Sequence, residues 1–194
     1  SNFPLLTTYS AYLHSLGRPY YVTGASQKKN FWIGSPKSPT FHLPVGRGCP
    51  VQCTWCGGGH LAQKPITGRR EVVFRSVSEV IQTIREARSY GYETFHFCFD
   101  PYPQEPDYYL RLFARIREEK IRMECYFESF GLPREDFILS FKETFPGLKS
   151  LIALSPDVGS ERTRRMHKGY AYTNQALMKC LDQMKEHRVN CDLF

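Results

Sequence analysis

Between residues 41 and 194 the chain alternates short apolar runs with amphipathic stretches, and this alternation limits its fold more than any other feature. Runs at 41–45, 94–99, 123–127, 151–154 and 189–194 predict strands. Between them, Val77, Val80, Ile81 and Ile84 fall on one face of a helix that the capping box Ser76-Val-Ser-Glu79 opens and Gly91 closes. Pro106 opens a second helix, with Tyr109, Leu110, Phe113 and Ile116 at helical spacing. Pro133 starts a third, carrying Phe137, Ile138, Phe141 and Phe145 and ending at Pro146-Gly147. Thr173 caps a fourth, bearing Leu177, Cys180, Leu181 and Met184. Strict alternation with short connections predicts an α/β fold of parallel strands joined by right-handed crossovers. The fifth run stops at Phe194, so the expectation is a partial TIM-like (βα) barrel, truncated in its fifth strand. Any site would sit at the carboxyl ends of the strands.

Residues 1–40 differ. Pro4, Gly17, Pro19, Gly24, Gly34, Pro36 and Pro39 punctuate them, with aromatic residues scattered between. That composition predicts an irregular linker or cover segment ahead of a barrel over 41–194. Apolar residues make up 41% and charged residues 23% of the 194, which excludes a mainly disordered chain. No apolar run approaches the ~18 residues of a bilayer span, and nothing in the first residues resembles an export signal. Seven cysteines without such a signal argue against a disulfide framework and for metal or cluster ligation in the cytoplasm. The net charge of +7 admits an RNA partner without establishing one. The densest basic stretch, 162–168, has no interleaved aromatic for base stacking and reads as a solvated basic face or an anion-facing loop.

One connection breaks the short-loop rule. About 29 residues separate the first strand from the Ser76 helix, and they begin Gly46-Arg-Gly-Cys49-Pro-Val-Gln-Cys53-Thr-Trp-Cys56-Gly-Gly-Gly-His60. Random placement of seven cysteines gives this C-x3-C-x2-C spacing only about 0.006 of the time. Three thiolates on a turning loop can ligate three irons of a [4Fe–4S] cluster and leave the fourth iron open. Gly57, Gly58 and Gly59 let the backbone follow close to a bound molecule. The alternative is a structural zinc site made by Cys49, Cys53, Cys56 and His60, in a module without catalysis.

Cys49-Pro-Val-Gln-Cys53-Thr-Trp55-Cys56, directly after the first strand, resembles the signature of the radical S-adenosylmethionine (radical SAM) enzymes. The stretch Ser155-Pro-Asp157 through Lys168-Gly169 is similar to one found after the fourth strand in methylthiotransferase-type and cobalamin-dependent branches. The resemblance implies that Cys49, Cys53 and Cys56 hold a [4Fe–4S] cluster and that S-adenosylmethionine chelates its open iron. It implies that the backbone near Trp55 approaches the adenine, and that Glu128, Ser155 and Asp157 line the cofactor or substrate. Reductive cleavage would give a 5′-deoxyadenosyl radical that abstracts hydrogen from a small or macromolecular substrate. A flavodoxin- or ferredoxin-like donor would supply the electron, and cobalamin, where used, would bind through a domain outside this chain. Where many members carry Gly-Gly-Glu after the second strand, this chain has Phe99-Asp100-Pro-Tyr102, which makes Asp100 the substitute. Asp157 stands where related branches more often carry Glu. The missing later strands lead to the expectation that the chain alone turns over poorly.

Simpler roles stay open for single residues. Asp100 and Asp157 can cap turns, and Glu128 can end a strand in solvent. Cys98, Cys125, Cys180 and Cys191 occupy apolar positions of strands and helices and read as small core residues. His60, His96 and His167 have no partner spacing beyond the zinc alternative.

Overall fold

The computed structural model describes residues 40–57, 59–69, 71–97 and 107–194. The segment expected to be irregular, apart from Thr40, lies outside the described residues, as do Gly58, Cys98, Asp100 and Pro106. In chain order the elements are β1 (Thr40–Leu43), β2 (Gly46–Arg47), α1 (His60–Thr67), β3 (Val73–Phe74), α2 (Val77–Ser89), β4 (Thr94–Phe97), α3 (Tyr108–Glu118), β5 (Glu124–Ser129), α4 (Glu135–Thr144), β6 (Leu151–Leu154), α5 (Glu161–His167), α6 (Asn174–Glu186) and β7 (Asn190–Leu193).

Five strands form one sheet in the order β1-β4-β5-β6-β7, every neighbouring pair parallel. The sheet's order follows the chain, as successive right-handed crossovers require. Side chains alternate across it. Leu43, Phe97, Phe127, Ile152 and Leu154 point into the main core, where they meet Val80, Ile84, Leu112, Phe113, Phe137, Phe141 and Met184 from α2, α3, α4 and α6. Phe113 lies at the centre, its ring 5.1 Å from that of Phe145 and 5.4 Å from that of Phe137. The opposite face is different. Tyr126, Leu151 and Ala153 form a small separate cluster there, and the register that aligns His42, His96 and Tyr126 puts two histidines on the same face. Parallel sheets are usually apolar on both faces, so these polar residues mark the concave face as one that serves something other than packing.

The local signals act as expected in several places. Ser76 Oγ accepts from the Glu79 N–H, and the Glu79 carboxylate accepts from the Ser76 N–H at 3.0 Å, completing the capping box of α2. Thr173 accepts from the Ala176 N–H at the start of α6. Gly91, at φ +88°, turns the chain out of α2 in the left-handed region that glycine adopts without strain.

Other details differ from the sequence reading. The first strand ends at Leu43 because Pro44 cannot donate to the ladder. The chain then pairs Gly46 and Arg47 with Phe74 and Val73 in a small antiparallel ribbon. β5 runs two residues past its expected end, so Glu128 and Ser129 stand within the strand. The long loop contains α1, closed by Gly68 in the left-handed conformation. The basic stretch is largely the helix α5, not a loop. Cys125 and Cys180 are buried in the core and Cys191 is half-buried against it. Burial pushes the Cys125 thiol well up, and holds those of Cys180 and Cys191 up at about 11 and about 12. Such thiols are protonated and chemically quiet near neutrality.

Candidate metal centre

The C-x3-C-x2-C loop leaves the carboxyl side of β1 and β2. Gly48, at φ +101°, makes the first turn, and a Cβ there would press on Val72 and the Glu71 carbonyl at 3.3 Å. The loop then folds on itself: the Cys56 N–H donates to the Cys53 carbonyl, and the His60 N–H to the Val51 carbonyl. Gln52 accepts from the Leu61 N–H at 2.9 Å and ties the loop to the start of α1. Its side chain fills the space beside Gly59 that a Cβ would need. Cys49 and Cys53 are half-buried, and Cys56 is exposed.

What holds this loop in place is the end of α5. The Thr54 N–H donates to the His167 carbonyl at 2.9 Å, and Thr54 Oγ1 bonds His167 Nδ1 at 2.9 Å. Trp55, half-exposed, sets its ring 6.0 Å from that of His167. The Gly169 N–H donates to Cys53 Sγ at 3.2 Å, and any side chain on Gly169 would overlap Val51. An amide aimed at a sulfur is the contact expected of a cluster-bound thiolate, whose charge it disperses.

α5 is itself locked to the end of β6. Arg164 is 1% exposed. Its guanidinium donates to the carbonyls of Pro156, Val158 and Tyr172 and to Asn174 Oδ1, and lies 4.8 Å from the centre of the Tyr172 ring. One turn later Lys168, 7% exposed, donates through Nζ to the Ser155 carbonyl at 2.5 Å and to the Asp157 carboxylate. The cost of burying these two cations is offset by oxygen partners, four for Arg164 and two for Lys168. The reading of 162–168 as a solvated basic face therefore fails for Arg164 and Lys168. They sit four apart, Arg164 within α5 and Lys168 at its C-cap, a spacing visible in the sequence but not distinctive without the loop they fill.

The remaining expected site residues fall as follows. Ser155 is buried directly after β6, its N–H donating to the Ser129 carbonyl. Asp157 adopts φ +61°, and its N–H donates to the Phe194 carbonyl. Its carboxylate is engaged by Lys168. Glu128 faces the concave side, 27% exposed, with Oε2 3.4 Å from His96 Nε2. Nothing stands within 4 Å of a Cβ built on Gly57, so ligand space is open there. Gly58 and Asp100 lie outside the described residues. Cys53, Asp157 and Ser155 are joined through the adjacent pair Lys168 and Gly169; Glu128 stands apart, with the histidines.

A zinc centre needs its donors about 2.0–2.3 Å from one point, and among the described residues no three His, Cys, Asp or Glu side chains converge in that way. His60 lies at the start of α1, exposed.

Comparison with known proteins agrees with this geometry. No curated protein matches the chain. Among solved structures, the FeFe-hydrogenase maturase HydG from Carboxydothermus hydrogenoformans superposes with a TM-score of 0.56 at 12% identity, over 99% of this chain and 48% of that one. That likeness establishes the fold, a partial (βα) barrel, and the chain spans about half the length of that protein. The model of the radical SAM superfamily matches residues 43–193, from the end of β1 through the cysteine loop to β7, and the chain belongs to that superfamily.

Proposed function

We propose that the chain is the catalytic core of a radical SAM enzyme in which Cys49, Cys53 and Cys56 hold a [4Fe–4S] cluster. The observation that carries the reading is the Gly169 N–H on Cys53 Sγ, made by a loop docked on the carboxyl rim of a parallel sheet. Such a cluster supplies, with S-adenosylmethionine at its open iron, the electron that yields a 5′-deoxyadenosyl radical and so hydrogen abstraction from the substrate. The residues of the chain orient and insulate this chemistry. The Gly169 amide lowers the charge density on Cys53 and thereby eases reduction. Gly57 leaves the backbone bare for a close approach, and half-exposed Trp55 offers its face beside the loop. Ser155 and Glu128 line the space where the methionyl and ribose groups would lie. Asp157, engaged by Lys168, shapes the loop that presents Ser155.

The stretch 155–169 supports placing the reaction with the methylthiotransferase-type and cobalamin-dependent branches; the cobalamin would bind outside this chain. A one-electron carrier of the flavodoxin or ferredoxin kind suits the exposed edge of the loop at Cys56. Anaerobic reconstitution with iron and sulfide tests the proposal. The expected product is brown, carries about four irons per chain, and changes its reduced-state paramagnetic spectrum when S-adenosylmethionine is added. A colourless protein with one tightly held zinc would overturn it.

A further inference from the structure

The concave face holds a side-chain constellation that the cluster loop does not use. His42 on β1 and His96 on β4 are register partners, and their Nδ1 atoms stand 2.9 Å apart. His96 is 8% exposed. Its Nε2 lies 3.4 Å from Glu128 Oε2 on the next strand, two residues nearer the carboxyl rim, a close charge contact in which Nε2 makes no hydrogen bond among the described residues. The His96 ring also meets the edge of Tyr126, 4.7 Å away between centroids. His42 is exposed, and its Nε2 makes no hydrogen bond among the described residues.

Hydrogen-bond chemistry orders these atoms. Two imidazole nitrogens 2.9 Å apart share one proton, so one donates and the other accepts. The carboxylate of Glu128 favours the proton of His96 on Nε2. His96 Nδ1 is then the acceptor and His42 Nδ1–H the donor, which leaves the lone pair on His42 Nε2 without a hydrogen-bond partner among the described residues. We propose that Glu128, through its charge, and His96, through its hydrogen bond to His42, set the tautomer of His42 so that His42 Nε2 accepts a hydrogen bond from an O–H or N–H of the substrate. His42 would touch the substrate; His96 and Glu128 are positioning residues. The inference rests on the radical SAM reading only in taking the concave face as the place where substrate lies.

Two further facts agree. Although the residue is exposed overall, partial desolvation of its ring, which packs 4.9 Å from that of His96, and the neighbouring His96 hold His42 below its ordinary value of 6.5, against a smaller opposing pull from Glu128, so its lone pair is kept near neutrality. Among the described residues, Tyr126 on β5 and Asp192 and Cys191 on β7 are further ionisable groups near this histidine pair. The Tyr126 hydroxyl is held protonated by burial, with Glu128 and Asp192 adding to the shift. The chain therefore selects a hydrogen-bond donor and disfavours a bare acceptor such as a carboxylate.

The test uses the full chain with 15N-labelled histidine. Two-bond proton–nitrogen correlation reads the tautomers, with the proton expected on Nδ1 of His42 and on Nε2 of His96. Acetamide, which carries N–H donors, should shift the His42 Nε2 resonance at least about tenfold more than acetate at equal concentration. In His96→Gln the selectivity should fall severalfold while iron content after reconstitution stays normal. In Glu128→Gln the His96 proton should lose its fixed position. A proton on His42 Nε2 in the wild type, or equal responses to acetamide and acetate, would overturn the inference. Iron content and S-adenosylmethionine binding on the same samples report separately on the cluster: ordered tautomers in a chain that loads no iron would overturn the radical SAM function and leave this histidine pair standing.

Discussion

Two populations of cysteine separate at the level of single residues. Cys49, Cys53 and Cys56 lie on a half-exposed loop, whereas Cys125 and Cys180 are sealed into the core with their thiols held up by burial. Replacing any of the first three with Ala should reduce the iron retained after reconstitution to a small fraction of the wild-type level. Cys125→Ala should cost about 1 kcal/mol in stability and leave iron content unchanged; normal iron in Cys53→Ala would refute the ligand assignment. His42 gives a pH signature. Its folded value lies below the unfolded 6.5, so the unfolded chain takes up the proton first as pH falls. The stability that neutral His42 contributes is complete above about 6.5 and is lost as pH drops from there through the lowered folded value. Denaturation midpoints followed from neutrality into mild acid should therefore fall less steeply in His42→Asn than in wild type. Identical slopes would show that the ring is not held neutral by its surroundings.

Among the elements, α5 has the most bearing on the site. It is only seven residues long, too short to persist on its own. It exists because Arg164 satisfies three carbonyls and a side-chain amide of the connection around it, and because Lys168 fastens its end to Ser155 and Asp157. Arg164→Met should destabilise the chain by about 2–4 kcal/mol, since buried oxygens lose their donors and water cannot reach them. Arg164→Lys should recover little, because one ammonium cannot span the same fork of acceptors. Gly169→Val is the complementary variant. It should leave the sheet folded, by far-ultraviolet circular dichroism, yet lower cluster retention severalfold, because the added side chain collides with Val51 and lifts the amide from Cys53. Full cluster retention in Gly169→Val would mean that α5 does not hold the loop.

For the molecule as a whole, one helical layer covers one face of the sheet, and its aromatic centre carries the stability. Phe113 touches the rings of Phe97, Phe127, Phe137, Phe141 and Phe145. Phe113→Ala should cost about 3–5 kcal/mol in chemical denaturation; a loss under about 1 kcal/mol would place the centre of the core elsewhere. Much of this architecture was legible in the order of residues. Strand and helix periods, the Ser76 and Thr173 caps and the spacing of Cys49, Cys53 and Cys56 are short-range signals, set by backbone geometry and by neighbours a few positions apart. They determined the α/β alternation, the parallel sheet and the thiolate loop. The tertiary structure alone decided that Gly169 would meet Cys53 across 116 positions, that Arg164 and Lys168 would be buried rather than solvated, and that His42 would meet His96 across 54. Those pairings depend on strand register and on where a helix end docks. Both follow from minimising the free energy of the whole core and not from any local preference, and so no single stretch of the sequence announces them.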